Sequence, residues 1–148
     1  MLRLALYQPD IPQNVGAAIR AAACFGAGLD IIEPCGFPLN DREIRRVALD
    51  YGALAAPTAH SGWEAFQQAN AEARIVLLTT KGAQPLWEFQ FEAGDIILMG
   101  RESAGVPDEI HESASARLRI PMAQGARSLN VAVAAGVALA AARRCVAY

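Results

Sequence analysis

Residues 95–107 read DIILMGRESAGVP and contain the pattern that decides the fold. Residues 95–99 form a continuous apolar run, which is typical of a strand buried on both faces of a parallel sheet. The glycines and polar side chains that follow predict a loop leaving the carboxyl end of that strand. Residues 74–78, RIVLL, form a second run of this kind. The chain therefore predicts a parallel sheet with loops at its carboxyl edge.

The rest of the chain alternates between short apolar segments and segments with helical spacing. Further strands are predicted at residues 2–7, 30–32 and 117–120, and helices at residues 15–25, 40–51, 62–70 and 127–146. Asn14 is a candidate cap of the first helix, Gly26 a candidate stop, and Asn40 or Asp41 a candidate start of the second helix. This alternation predicts a single α/β domain over residues 1–148, a parallel sheet flanked by helices.

Length and composition exclude several classes of protein. The chain has 148 residues, 53% of them hydrophobic and 19% charged, which excludes a disordered linker and suits one domain. The net charge of -2 excludes a uniformly basic nucleic-acid coat but not a local basic patch. Lys81 is the one lysine among 13 cationic residues, and arginine suits planar, bidentate contacts to phosphate or carboxylate.

The cysteines and the apolar runs indicate a reducing compartment and no membrane span. Cys24, Cys35 and Cys145 are odd in number and widely spaced, so we expect free, buried thiols in the cytoplasm. The amino terminus lacks the features of a signal peptide. The longest apolar run, residues 131–142, is shorter than the about 20 residues that cross a bilayer. His60 and His111 have no metal partners at ligand spacing, so we expect surface histidines and no metal site.

Three loops leave the carboxyl ends of predicted strands: residues 8–16 (QPDIPQNVG), 100–109 (GRESAGVPDE) and 121–130 (PMAQGARSLN). Ligands of open α/β sheets bind at that edge, so the three loops predict a ligand site. The 100–109 loop has neither GxGxxG nor GKS/GKT, which excludes a phosphate loop. Two interpretations remain: a glycine turn that opens a helix, with Pro107 at its first turn, or backbone contact to a small ligand.

Each motif has a structural and a functional interpretation. Asn14 and Ser128 are helix caps or ligand contacts. Arg42, Arg45 and Arg46 share one helix face, which is either solvated or a contact for a phosphate backbone. Arg143 and Arg144 complement the dipole of the last helix.

Taken together, the loops resemble a known family. Residues 6–20, 98–107 and 120–139 resemble, in order, the three signature motifs of the SPOUT ribose methyltransferases. The segments IIEPCGF, RRVALDY and LLTTKG, together with Asp41, are similar to the TrmL subgroup, which methylates the ribose 2′-hydroxyl of the wobble nucleotide of certain tRNAs. The chain departs from that subgroup at Arg101 and Ser103, where proline and threonine are common, and in the loop at residues 123–126.

The resemblance implies a SPOUT fold with a C-terminal trefoil knot, a homodimer with shared sites, and S-adenosylmethionine as co-substrate. The implied cofactor-binding residues are Leu78, Gly100, Ile120, Met122, Ser128 and Leu129. The implied catalytic residues are Arg20, Asn14, Glu102, Ser128 and Asn130. Substrate contacts are expected from Arg42, Arg45 and Arg46, and dimer contacts from residues 131–144 and the first helix.

The resulting hypothesis is a cytoplasmic, S-adenosylmethionine-dependent tRNA (cytidine/uridine-34) 2′-O-methyltransferase. A guanidinium hardly deprotonates, so Arg20 is expected to orient the ribose or its phosphate and to stabilise the developing oxyanion rather than act as the base. Three alternatives remain: a SPOUT ribose methyltransferase acting elsewhere on tRNA or on rRNA, a non-catalytic RNA- or nucleotide-binding module of this fold, and an unrelated flavodoxin-like domain.

Overall fold

A computed structural model describes residues 1–40, 42–81 and 84–148. The described strands are β1 (Arg3–Tyr7), β2 (Gly28–Ile32), β3 (Thr58–His60), β4 (Ile75–Leu78), β5 (Gln84–Pro85), β6 (Ile96–Met99) and β7 (Ala116–Arg119). The helices are α1 (Pro12–Cys24), α2 (Arg42–Ala55), α3 (Trp63–Ala69), α4 (Asp108–Ser113) and α5 (Val131–Cys145), with a 3₁₀ turn at Leu86–Glu88.

The strands form one sheet in the order β3-β2-β1-β6-β4-β7-β5, and every neighbouring pair is parallel. All four residues of β6 are buried, as its unbroken apolar run predicts. Alternate residues face opposite sides of the sheet: Ile97 and Met99 join the core cluster that contains α1 and α5 residues, and Ile96 and Leu98 join the other. The predicted parallel α/β architecture is confirmed, whereas the trefoil knot stays a prediction.

Helix α1 begins earlier than predicted, because Pro12 occupies its first turn. Ile11 is the residue before the helix, and no side chain caps the amino terminus. The expectation that Asn14 caps this helix is therefore wrong, because Asn14 is the third residue of the helix. Proline suits the first position, where an N–H group would have no partner within the helix. Gly26 follows the helix with φ 59°, which confirms it as the stop.

Helix α5 begins later than predicted. Asn130 is its cap, and the Asn130 Oδ1 accepts hydrogen bonds from the backbone N–H groups of Ala132 and Val133. Ser128 is therefore not the cap. Residues 121–130 are irregular and exposed. The prediction assigned residues 127–130 of this loop to the helix.

Several short elements were not predicted. Strands β3 and β5 have three and two residues, too few to show a periodic pattern. Helix α4 follows the glycine turn, as one interpretation of the 100–109 loop predicts, with Pro107 as the residue before the helix. Helix α2 begins at Arg42 among the described residues, and the suggested start at Asp41 lies outside them.

Two expectations about burial are wrong. His60 is 9% exposed, not a surface residue, because strand β3 places it beside Asp30, whose Oδ1 lies 2.7 Å from His60 Nε2. His111 is half-buried.

The cysteines are less buried than predicted. Cys24 is exposed on the last turn of α1, while Cys35 and Cys145 are half-buried, and all three thiols are free. No helix in the described ranges is long and apolar enough to cross a membrane.

Candidate functional site

A cavity of about 880 Å³ opens at the carboxyl edge of the sheet. The strands β4, β6 and β7 are neighbours there, so the segments that follow them form its walls. Ile11 and Asn14 complete the lining from the loop after β1 and the first turn of α1. All three loops predicted to meet at this edge therefore do so.

A chain of side-chain hydrogen bonds ties the three loops together. Asn130 Nδ2 donates to Asn14 Oδ1 (2.9 Å), and Asn14 Nδ2 donates to Glu102 Oε1 (3.1 Å). The second carboxylate oxygen, Glu102 Oε2, accepts from the backbone N–H of Asp10 (2.8 Å). Both oxygens of Glu102 therefore have hydrogen-bond donors. We refer to Asn14, Glu102 and Asn130 as the amide chain.

Asp10 adds a second link between the first two loops and was not predicted as a site residue. Ser103 Oγ donates to Asp10 Oδ2 (2.6 Å), and the backbone N–H of Ser103 lies 3.3 Å from the same oxygen. The position of Asp10 between two prolines, directly after a buried strand, is the sequence signal that would have identified it.

The loop after β6 is closed by backbone contacts. Arg101 and Gly105 exchange two backbone hydrogen bonds, each 2.9 Å long. Gly105 has φ +63°, and a Cβ atom on Gly100 would lie 2.7 Å from Gly105 Cα. Both glycines are therefore required by the shape of this turn, which supports the glycine-turn interpretation and places backbone at the cavity wall.

The cavity contains every residue predicted to bind the cofactor: Leu78, Gly100, Ile120, Met122, Ser128 and Leu129. Of the predicted catalytic residues, Asn14, Glu102, Ser128 and Asn130 also line it. Apolar walls from Leu78, Ile120 and Leu129 suit a planar aromatic base. The exposed cations Lys81 and Arg127, which also line the cavity, suit an anionic group.

Arg20 is the exception among the predicted catalytic residues. It is exposed on α1 and does not line the cavity of its own chain. Arg20 is six residues after Asn14, which corresponds to about 600° of helical rotation, so the two side chains point in different directions. Its guanidinium instead lies over the ring of Tyr51 on α2, with Cζ 4.9 Å from the ring centroid.

The predicted substrate-binding arginines lie on helix α2, outside the cavity. Arg42, Arg45 and Arg46 are all exposed on α2. Helix α2 packs closely on α1, since a Cβ atom on Gly16 would lie 3.2 Å from Val47 Cγ2. Val47 therefore faces α1, and none of the three arginines lines the cavity.

Two buried polar atoms near the cavity have no hydrogen-bond partner: Arg101 Nε and His111 Nε2. Both residues line the cavity, and neither was predicted as a site residue.

On the loop at residues 33–39, burial raises the pKa of the Cys35 thiol to about 11, with smaller contributions from Glu33 and Glu102. The described residues contain no group of three or more histidine, cysteine or acidic side chains that would hold a metal ion.

Comparisons with known proteins identify the family. The family model for the SpoU rRNA methylase family matches residues 1–140. A tRNA (cytidine(34)-2′-O)-methyltransferase of Beijerinckia indica is 52% identical over 143 residues, covering 95% of this chain and 89% of the relative. The Escherichia coli K12 protein of that name is 39% identical over 150 residues, covering 100% of this chain and 96% of the relative.

Solved structures of similar fold agree with this family assignment. One solved structure, described as "Structural insights into the 2-OH methylation of C/U34 on tRNA", has a TM-score of 0.91 and 42% identity. The match covers 97% of this chain and 95% of that chain. The SpoU methyltransferase AviRb of Streptomyces viridochromogenes, in complex with the cofactor AdoMet, has a TM-score of 0.83 and 26% identity. The match covers 97% of this chain and 59% of the AviRb chain. The three motifs, the fold and these matches agree: the chain belongs to the SpoU rRNA methylase family.

Proposed function

We propose that this protein transfers a methyl group from S-adenosylmethionine to the ribose 2′-hydroxyl of nucleotide 34, the wobble position, in tRNA. The observation that carries the proposal is the convergence of the three motif loops on one cavity, tied together by the amide chain. Relatives that cover almost the whole chain and carry the name tRNA (cytidine(34)-2′-O)-methyltransferase support the choice of substrate.

The lining of the cavity suits S-adenosylmethionine. The apolar side chains of Leu78, Ile120 and Leu129 would enclose the adenine, and the backbone around Gly100 would approach it closely. The sulfonium of this co-substrate makes its methyl group electrophilic, so the transfer needs no metal. Ser128 and Met122, which are exposed in the cavity, would contact the rest of the molecule.

The amide chain would position the loops before the ligands arrive. Asn14 uses both ends of its amide within the chain, and Glu102 uses both oxygens, so each side chain is held in one orientation. Preorganised groups lower the entropy cost of aligning the hydroxyl oxygen with the methyl carbon. Arg20 would orient the ribose or the adjacent phosphate and stabilise the oxyanion, while a phosphate oxygen or a water molecule takes the proton.

A homodimer would bring Arg20 to a cavity. Arg20 lies outside the cavity of its own chain, so a second copy would have to supply it to the other predicted catalytic residues. Ile11 and Val133 are 42% and 53% exposed, and they lie beside the cavity residues Asn14 and Ala134. Apolar side chains exposed on α5 and at the start of α1 favour these helices as the contact between copies.

Arg42, Arg45 and Arg46 would contact the phosphate backbone of the tRNA. Their exposure on α2 leaves their guanidinium groups accessible. Binding through phosphates releases counterions, so the affinity for tRNA is expected to fall steeply with salt. An affinity that does not change between low and moderate salt would contradict this contact. The tRNA substrate would also place the protein in the cytoplasm.

The decisive experiment measures methyl transfer from labelled S-adenosylmethionine to bulk tRNA, followed by nucleoside mapping. The proposal predicts label in 2′-O-methylated cytidine or uridine at position 34. Label at another tRNA position or in rRNA would assign the first alternative, and RNA retention without label would assign a binding module. Calorimetry with S-adenosylmethionine tests the cavity independently.

Subunit mixing tests whether the sites are shared. Alone, Arg20→Ala is expected to be inactive, and Glu102→Gln is expected to keep about 1–10% of wild-type activity. If Arg20 acts in the partner's cavity, random mixing restores about a quarter of wild-type activity, because half of the dimers are mixed and each holds one complete site. If Arg20 acts in its own subunit, every site carries a defect and mixing restores nothing.

A further inference from the structure

Arg20 is held by an aromatic ring. The Tyr51 ring lies 4.9 Å from Arg20 Cζ, measured to the ring centroid. We propose that Tyr51 is a positioning residue for methyl transfer, which holds the Arg20 guanidinium in the orientation that meets the RNA. The inference rests on the proposed function and adds a residue of α2 to it.

Use of the N–H donors, rather than the ring contact, distinguishes Arg20 from the arginines that stabilise the fold, since Arg74 Cζ also lies 5.4 Å from the centroid of the Phe89 ring. Arg3 donates from Nε and Nη2 to the two carboxylate oxygens of Asp30, and Arg74 binds Asp95 in the same manner. Those contacts occupy the edge of the guanidinium. A ring attracts the face of a guanidinium and uses none of its N–H donors. The contact with Tyr51 therefore orients Arg20 while leaving its donors for a phosphate or ribose oxygen.

The Tyr51 ring is itself anchored. Ile44, Val47 and Tyr51 recur at helical spacing on α2, and all three pack against the core cluster that includes α1 residues. Ile44 is 5% exposed, and Val47 contacts α1 at Gly16, so α2 is fixed against α1 at this face. The ring is therefore a rigid support for a long, flexible side chain that would otherwise sample many rotamers.

Preorganisation of Arg20 has a kinetic consequence. A displaced guanidinium would no longer lie where charge develops in the transition state, and misplacement by about 1 Å can lower a rate by about 100-fold. The loss would appear in kcat for tRNA methylation. Binding of S-adenosylmethionine would not change, because neither Arg20 nor Tyr51 lines the cavity of its own chain.

The test compares Tyr51→Phe with Tyr51→Leu in the full chain. Phenylalanine keeps the ring, whereas leucine keeps apolar bulk without a ring face. We expect Tyr51→Phe to retain kcat within about twofold and Tyr51→Leu to lose about 10- to 100-fold, with unchanged S-adenosylmethionine affinity. The matched control is Phe89→Leu, which removes the ring 5.4 Å from Arg74 Cζ and is expected to leave kcat unchanged.

A magnetic resonance measurement tests the contact without catalysis. The Cδ protons of Arg20 are expected to show an upfield ring-current shift in the wild type and in Tyr51→Phe, and to lose it in Tyr51→Leu. Absence of that shift in the wild type would overturn the proposal even if the leucine variant fails to fold.

The kinetic outcomes separate the two proposals. Full activity of Tyr51→Leu, or equal losses in the phenylalanine and leucine variants, would overturn the role of Tyr51 and leave the proposed function standing. Wild-type protein that transfers no methyl group to tRNA would overturn the proposed function, and the role of Tyr51 with it.

Discussion

Two polar networks in this molecule use similar side chains for different purposes. The ion-pair network joins Arg3 to Asp30 and His60, and Arg74 to Asp95; its two arginines lie where strands begin. The amide chain lies at the other edge, where strands end, and lines the cavity. In the ion-pair network, arginines pair with carboxylates. In the amide chain, two asparagine amides bind one carboxylate beside the cavity.

Hydrogen bonds to carboxylates raise the pKa of both arginines in the ion-pair network. The side-chain hydrogen bond with Asp30 raises the pKa of Arg3, against the lowering effect of burial. The hydrogen bond with Asp95 raises the pKa of Arg74 in the same way. Both arginines therefore remain charged throughout the accessible pH range. None of the residues of the ion-pair network lines the cavity, whereas all three residues of the amide chain do, which makes the first network structural and the second the candidate functional one.

Replacing Asp30 by alanine is expected to have the largest effect on stability. Asp30 has 1% of its side chain exposed and is the partner of both Arg3 and His60, so its removal leaves a half-buried cation and a buried ring nitrogen unpaired. Urea unfolding is expected to show a loss of about 3–5 kcal/mol. A loss below about 1 kcal/mol would contradict the structural role of this network.

Replacing Glu102 by glutamine is expected to affect activity more than stability. A glutamine side chain has one acceptor oxygen, so either Asn14 Nδ2 or the Asp10 N–H faces an NH₂ group. Methyl transfer is expected to fall about 10- to 100-fold, with a stability change of about 1 kcal/mol. Glu109→Gln, at an exposed acid on α4, is the control expected to retain full activity.

Gly100→Ala tests the backbone of the functional edge. Its Cβ atom would lie 2.7 Å from Gly105 backbone atoms, which forces the turn after β6 to shift. We expect a loss of about 1–3 kcal/mol in thermal or urea unfolding, together with weaker binding of S-adenosylmethionine in calorimetry. Gly62→Ala, where an added Cβ meets nothing within 4 Å, should be close to neutral. Equal effects of the two substitutions would contradict the close approach.

The smallest expected effect concerns the pH dependence of stability at Cys35. Burial raises the folded-state pKa of this thiol from 9.0 to about 11, so the unfolded chain releases the proton at lower pH. The stabilisation is present below pH 9.0 and is lost as the pH rises towards about 11. Unfolding midpoints measured across that window should fall less steeply for Cys35→Ala. Identical slopes for the variant and the wild type would show that Cys35 does not titrate as expected.

Much of the site was predictable because its parts are local in sequence. Each motif loop follows a strand recognisable from its apolar run, and parallel strands direct their carboxyl ends to one edge. This reasoning placed Asn14, Glu102 and Ser128 at one cavity. It missed Asp10, whose role depends on a hydrogen bond to Ser103, 93 residues away.

The amino-acid sequence by itself determined the α/β class, the positions of the long strands and the three loops, because burial and helical periodicity are written in neighbouring residues. Only the tertiary structure decided which polar groups meet. Asn14 reaches Glu102 across 88 residues and Asn130 across 116, and Arg20 contacts Tyr51 rather than the cavity. Such contacts depend on strand order and on the angle at which each helix presents a side chain, and neither property is encoded in any single segment.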